Sequence, residues 1–154
     1  MALQVVPARG RWEQRVFDLL STATFVQGSL VKLHAARRVS EYSGGESAFL
    51  GIAASHSSNS LPAGKIVVYI PASYGCTALA DVPTGVAASS LSLGETVGFY
   101  KSGNTVSTIT TSYTSTAGRI AVIVGAINSV TSQIEVEFLG NALTLNSTTS
   151  ATIP

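Results

Sequence analysis

From Leu30 onward the sequence consists of short apolar runs, and this rhythm constrains the fold more than any other feature. Each run is bounded by Gly, Pro, Ser or Asn, and runs of about five to eight residues between such turn formers are typical of β-strands. The turns "SGGE", "PAG", "KSGN" and "TAG" each supply a glycine, which tight reversals favour because glycine adopts positive φ without strain. We therefore predict an all-β protein: a single small β-barrel or sandwich of about seven or eight mostly antiparallel strands.

Alternation within the runs predicts which strand faces are buried. In "QIEVEFL" the apolar side chains alternate with Glu135 and Glu137, so one face is predicted to lie in the core and the face with the two glutamates in solvent. In contrast, "RIAVIVGAI" is apolar at nearly every position. This run, residues 119–127, is therefore predicted to be a strand that is buried on both faces.

Two further runs carry expectations about contacts and turns. In "GKIVVYI" alternate positions predict a buried face, but Val67 and Tyr69 make the outer face apolar too, so we expect another surface to cover it. A phosphate-binding loop requires a lysine and a helix after its glycines. In "EYSGGESAFLGIAAS" neither feature follows the adjacent glycines. This stretch is predicted to be a hairpin turn that ends one strand at Tyr42 and starts its partner at Phe49.

The two ends of the chain differ from this β-strand body. In "RWEQRVFDLLS" Trp12, Val16 and Leu19 recur at helical spacing, which predicts a short amphipathic helix after an extended segment with Arg9 and Arg11. The final "GNALTLNSTTSATIP" has the polarity of a tail. The predicted parts are an N-terminal arm with a short helix (1–24), a β-barrel domain (25–140) and a Ser/Thr-rich C-terminal tail (141–154).

Charged side chains are scarce and unevenly placed. They make up 11% of the chain, with a net charge of +1, against about 25% in an average soluble protein. Residues 1–40 carry six basic side chains against two acidic ones, which predicts an acidic partner for this part. Nucleic-acid binding needs denser basic residues interleaved with aromatics, and a membrane span needs about 20 apolar residues. Neither is predicted, and we expect a soluble protein made in a reducing cytoplasm.

Groups with catalytic or metal-binding chemistry are few. His34 and His56 are far apart in sequence, no serine lies in a G-x-S-x-G motif, and Asp81 is placed to start a turn. The lone Cys76 lies in an apolar run and is predicted to be a buried thiol. We predict no catalytic, metal or cofactor site, and we do not expect an enzyme.

Four short motifs follow one another between residues 25 and 72: "GSLV", "GG", "LGIA" and "GKIVV". In this order they resemble the small cement, or decoration, proteins of tailed-bacteriophage heads. Proteins of that type are β-barrels that cap the joints between major capsid subunits. The motifs consist of structural residues and contain no catalytic signature, so the resemblance also favours a structural role.

The resemblance implies a partner, an assembly and a location. A cement protein is made in the host cytoplasm and binds the major capsid protein on the outer surface of the virion, and this chain is expected to do so as a homotrimer, with a dimer as the alternative. Residues 1–24 are expected to grip the capsid. The capsid-contact candidates are Arg9, Arg11, Trp12, Arg15, Val16 and Leu19, and the oligomer-contact candidates are Val67 and Tyr69.

A second class of function stays open. Ser/Thr-rich β domains also serve as receptor- or glycan-binding modules of phage fibres or spikes, where exposed aromatic side chains form the binding platform. Tyr74, Tyr100 and Tyr113 are the candidates, and they are scattered along the sequence. The location of the protein on the particle, head or fibre, distinguishes the two functions.

Overall fold

The protein is an all-β structure, as predicted. The computed structural model describes residues 5–34, 37–42, 49–59, 64–72, 75–82, 91–101, 107–110, 120–128 and 132–139, and these ranges contain no α-helix. One turn of 3-10 helix covers Ser57–Asn59. The strands are β1 (Val5–Arg9), β2 (Trp12–Leu19), β3 (Leu30–Leu33), β4 (Arg38–Glu41), β5 (Gly51–Ala53), β6 (Lys65–Pro71), β7 (Thr77–Asp81), β8 (Thr96–Lys101), β9 (Ser107–Thr110), β10 (Ala121–Asn128) and β11 (Gln133–Phe138).

The strands form two sheets rather than one. The first sheet has the order β1-β7-β11-β10-β8-β9, and all its neighbours are antiparallel. The second has the order β2-β4-β3-β5-β6, and β6 pairs again with β2, so this sheet closes on itself. Its one parallel pair is β2 with β4. The predicted number of strands, seven or eight, was too low. The described residues form eleven strands, which are divided between an open sheet of six and a closed sheet of five.

Two apolar cores follow from this arrangement. The main core combines side chains from both sheets, such as Ile52 of the closed sheet and Ile134 of the first sheet, and it lies between them. Phe138 links the two sheets, because its ring centroid lies 4.4 Å from that of Phe49 and 5.8 Å from that of Phe99. The inner core fills the closed sheet with Phe25, Val31, Val39, Leu50, Ala53, Ile66, Val68 and Ile70.

Strands buried on both faces occur in the closed sheet and not where they were predicted. In β3 Leu30 faces the main core and Val31 the inner core. In β5 Ile52 and Ala53 divide in the same way. β10 was predicted to be buried on both faces, but Val124 is 39% exposed. A strand is covered twice only where a core lies on each side of it, and β10 has a core on one side.

The predicted hairpin between Tyr42 and Phe49 is wrong as a strand pairing. β4 and β5 do not pair with each other, because both pair with β3 and lie on its two sides. Residues 43–48, which hold the two glycines, lie outside the described residues. The chain therefore passes from one neighbour of β3 to the other between these strands.

The predicted N-terminal helix is also wrong, because Trp12–Leu19 is strand β2. Trp, Val and Phe are strong β-formers, and β2 gains a backbone partner in β6 from Trp12 to Asp18. A helix of two or three turns has no comparable support. The described part of the predicted arm is thus paired within both sheets. The division of the chain at residues 24 and 140 stays a prediction. The tail, 141–154, lies outside the described residues.

Gly10 allows the chain to pass from the first sheet to the closed sheet. It has a φ of +86°, and a Cβ at this position would lie 2.7 Å from Cα and 2.9 Å from Sγ of Cys76. The thiol of Cys76 is buried, as predicted, and it donates to the carbonyl oxygen of Arg11 at 3.0 Å. Trp12 Nε1 donates to the carbonyl oxygens of Arg9 and Thr77, each at 3.2 Å. The β1–β2 corner is therefore fixed on β7.

Gly10→Ala is expected to lower the free energy of unfolding by about 2 to 5 kcal/mol, because it adds the cost of positive φ to a collision with Cys76. Gly94→Ala is the matched control, since Gly94 has a φ of +85° and open space around its Cα. It should cost only the backbone part, about 1 to 2 kcal/mol. Urea unfolding of both variants measures the difference, and equal losses would contradict the role of the corner.

Candidate interaction surface

The candidate functional site is an exposed face of the β2–β6 strand pair. The two strands are antiparallel, with Gln14 opposite Tyr69 and Val16 opposite Val67. Opposite residues of an antiparallel pair share one face of the sheet. We call the face formed by Trp12, Gln14, Val16, Val67 and Tyr69 the β2–β6 surface.

The β2–β6 surface is mainly apolar although it faces outward. Val16 is 54% exposed, and Val67 beside it is half-buried. Gln14 Nε2 donates to the hydroxyl oxygen of Tyr69 at 3.3 Å, which orients that ring. Trp12 and Tyr69 pack against the main core with part of their side chains. The end of the surface with Trp12 and Tyr69 thus borders the main core, and the end with Val16 is open.

This surface unites residues that the sequence assigned to two different partners. Trp12 and Val16 were predicted to contact a capsid, whereas Val67 and Tyr69 were predicted to contact a second copy. Since they form one continuous face, one partner covers all four when it binds there. Leu19 lies apart from them, because its side chain packs against the inner core of the closed sheet.

The opposite face of β2 carries a charged row. Glu13 Oε1 accepts from Arg11 at 3.2 Å, and Glu13 Oε2 accepts from Arg15 at 3.3 Å. All three side chains are substantially exposed, so these ion pairs add little to stability. The row nevertheless holds one more positive than negative charge. Sequence reasoning missed Glu13 and Gln14, because residues 12–18 show no regular alternation of apolar and polar side chains.

Arg9 is held by a carboxylate of its own chain. Its Nε donates to Glu135 Oε2 at 2.5 Å, and the Thr77 hydroxyl donates to the same oxygen at 2.5 Å. The hydrogen bond from Arg9, followed by that from Thr77, lowers the pKa of Glu135. The Glu135 side chain is only 8% exposed, whereas that of Arg9 is 68% exposed. The prediction that Glu135 lies in solvent is therefore wrong, because β1 brings a cation over this face of β11.

A cavity of about 290 Å³ adjoins the β2–β6 surface, where β1 meets the closed sheet. Trp12 and Tyr69 belong to both the cavity and the surface. Gln27 adds a polar side chain at the rim. The remaining lining residues are Val5, Val6, Pro7, Gly28, Ile52 and Ala53.

The described residues bring no further chemical groups together. His34 lies exposed beyond β3, and His56 Nδ1 accepts from the backbone N–H of Gln27 at 3.4 Å. Asp81 accepts from Gln133 Nε2 at 3.0 Å. Within the described ranges no three His, Cys, Asp or Glu side chains lie close enough to hold a metal ion. Nor does any helix in that part of the chain have the length and apolar character to cross a bilayer.

No protein-family model, curated protein or solved structure matches this chain. The predicted glycan platform is not described either, because Tyr74 and Tyr113 lie outside the described residues and the side chain of Tyr100 is not described. Trp12 and Tyr69 are two aromatic residues that line one cavity.

Glu135→Gln should lower the free energy of unfolding by about 1 to 2 kcal/mol at neutral pH, because it removes a charged acceptor from two hydrogen bonds. The pKa of Glu135 is lowered by folding. The contribution is therefore complete above the ordinary value, about pH 4.3, and is lost as pH falls through the lowered pKa. Urea unfolding between neutral and acid pH measures this.

Glu137→Gln is the control, since Glu137 lies two residues away on the same face of β11. The stability difference between Glu135→Gln and the original protein should shrink in acid, and Glu137→Gln should have a smaller effect than Glu135→Gln at neutral pH. A Glu135→Gln variant with full stability at neutral pH would refute the assignment.

Proposed function

We propose that this chain is a structural capsid cement protein, which binds the outer surface of an assembled phage head and stabilises joints between major capsid subunits. The motifs between residues 25 and 72 supply the resemblance, and three of them, "GSLV", "LGIA" and "GKIVV", contribute residues to β3, β5 and β6 of the closed sheet. We infer that this closed sheet corresponds to the small barrel of cement proteins. A structural role also suits the β2–β6 surface, which provides apolar contact area of a fixed shape.

The observation that carries the proposal is the exposed apolar β2–β6 surface. Val16 at 54% exposure is a large apolar side chain in the middle of a hydrogen-bonded strand, where its position is fixed. An apolar face held in this way is typical of a protein contact surface. Arg11 and Arg15 flank it from the other face of β2 and can meet capsid carboxylates at the rim of the contact.

The structure changes how such binding would work. Residues 1–24 were expected to grip the capsid as an arm, which would have to become ordered on docking. β1 and β2 are instead already paired within the two sheets. A preformed surface loses little conformational entropy on binding. Occupancy of the capsid sites then depends on how well this surface fits the capsid joint. Because a shell has many equivalent joints, the stabilisation gained at one joint is repeated across the shell.

A receptor- or glycan-binding module of a fibre or spike is the second candidate. The observation that favours it is that Trp12 and Tyr69 both line a cavity of about 290 Å³. Aromatic rings at the edge of a small cavity suit the apolar face of a sugar ring. Labelling the protein on the source particle and imaging it decides between the two functions, because a cement protein is found on the head and a fibre module on the tail.

Val16→Glu is expected to reduce the occupancy of emptied heads by at least about tenfold, because it places a charge in the middle of an apolar contact. The side chain is exposed, so the fold should be retained. Binding is measured by co-sedimentation of purified protein with heads that lack it. Leu93→Glu is the control, since Leu93 is 66% exposed next to β8 of the other sheet. Unchanged occupancy for Val16→Glu would remove the β2–β6 surface from the proposed contact.

A further inference from the structure

One edge of β2 lacks a strand partner over most of its length among the residues that the structure describes. β2 pairs with β6 from Trp12 to Asp18, but with β4 only at Asp18 and Leu19. The open part of this edge therefore runs between the corner at Gly10 and the point beside Asp18 where β4 begins. An open edge exposes backbone groups that a further strand can pair with.

The backbone hydrogen bonds of β2 with the β6 side come from odd-numbered residues. The carbonyl oxygen of Arg11 accepts from the N–H of Ala72, and the N–H of Leu19 donates to the carbonyl oxygen of Gly64, both at 2.8 Å. In an antiparallel pair the residues that bond to the partner alternate with those that point away from it. Residues 13, 15 and 17 of β2 therefore also direct their backbone groups to β6.

The even-numbered residues point to the open edge. The N–H of Leu20 donates to the carbonyl oxygen of Val39 on the β4 side at 2.9 Å. Because Trp12, Gln14 and Val16 have the same parity, their backbone N–H and C=O groups point in this direction too. Gln14 and Val16 are exposed, so another strand can reach them.

We propose that the strand that covers this edge is β2 of a second copy, paired antiparallel about a two-fold axis at Gln14. Two identical strands that pair in this way make a closed, symmetric dimer. In such a pair, residues whose backbone groups point to the open edge must lie opposite each other. Three registers meet this condition and also pair most of the open edge. These are centred on Glu13, Gln14 or Arg15.

Charge selects the register centred on Gln14. A centre at Glu13 or at Arg15 places that residue directly opposite its own copy, and like charges in this position are destabilising. With the centre at Gln14, Glu13 lies opposite the partner's Arg15 and Arg15 lies opposite the partner's Glu13. The two-fold axis therefore makes the same favourable pair twice. The segment "EQR" centred on Gln14 in "WEQRV" is thus self-complementary.

The shape of the edge selects the same register independently of charge. Gln14 lies midway between Gly10, where the chain turns away, and Asp18, where β4 begins to pair. Centred there, the open segments of both copies overlap fully. Trp12 then lies opposite the partner's Val16, an aromatic and β-branched pair of the kind that stabilises sheets. The edge also lacks the proline that often blocks such pairing.

This dimer extends the β2–β6 surface instead of covering it, because edge pairing adds strands within the plane of the sheet. It supplies about six backbone hydrogen bonds over a small contact area. We therefore expect weak association, with a Kd of about 10 to 100 µM. The inference does not rest on the proposed function, since it concerns the protein alone in solution.

Sedimentation equilibrium of the full chain tests the dimer and its register. Glu13→Arg and Arg15→Glu are each expected to weaken association by about tenfold or more, because each opposes like charges twice. The double variant Glu13→Arg/Arg15→Glu restores opposite charges in both pairs and should return to within about threefold of the original Kd. Leu93→Glu is the control, since it adds an exposed negative charge next to β8 of the other sheet and should leave the Kd unchanged.

Gln14→Pro tests the edge itself. It removes an N–H that points away from β6, so it should abolish dimers while retaining the unfolding free energy within about 1 kcal/mol, as edge strands tolerate proline. Any of three results would overturn the proposal. These are a chain that is monomeric at millimolar concentration, a trimer that Gln14→Pro does not affect, or single charge reversals that the double variant fails to rescue.

Discussion

The contact between Gly10 and Cys76 is the one on which the arrangement of the two sheets depends. At this point the chain leaves β1 and enters β2, and a side chain on Gly10 would collide with the backbone of Cys76, the residue before β7. Three attachments surround the contact: the thiol bond to Arg11, the Trp12 indole bonds, and the ion pair of Arg9 with Glu135. The first two join the corner to Cys76 and Thr77 at the start of β7, and the third joins it to β11. The position of the β2–β6 surface over the main core follows from this corner.

The closed sheet explains why so short a chain contains two cores. β3 and β5 send alternate side chains to opposite sides, so each of these strands contributes to both cores. Short, continuous apolar runs such as "SLV" and "LGIA" satisfy this demand, because every residue is buried. The small residues Gly51 and Ala53 fit the narrow interior, and an added Cβ on Gly51 would meet the carbonyl of Tyr69. The same motifs that carry the resemblance therefore have a packing reason of their own.

The local patterns predicted the all-β class, the strands around residues 30, 66, 97 and 134 and the buried thiol of Cys76, because strand alternation and turn chemistry are properties of neighbouring residues. They did not predict the number of sheets, the order β4-β3-β5 or the burial of Glu135, which depend on pairings between distant segments. The helix at residues 11–21 failed for the same reason. Trp12, Val16 and Leu19 fit a helical period as well as a strand, and the seven-residue pairing with β6 decides between them. The candidate residues Trp12, Val16, Val67 and Tyr69 could be named from sequence, whereas their union in one surface could not.

Three sets of groups on β2 have different roles, because they point in different directions. The side chains of its even-numbered residues form the β2–β6 surface, and the backbone groups of the same residues form the open edge. The side chains of Glu13 and Arg15, on the other face, set which register an added strand prefers. A change of side chain at Val16 therefore acts on the surface and also on the pair that Val16 makes with Trp12 across the dimer, whereas a change that only removes the N–H of Gln14 acts on the edge alone. Because the backbone groups of the edge are not part of the β2–β6 surface, self-association can fail while capsid binding survives.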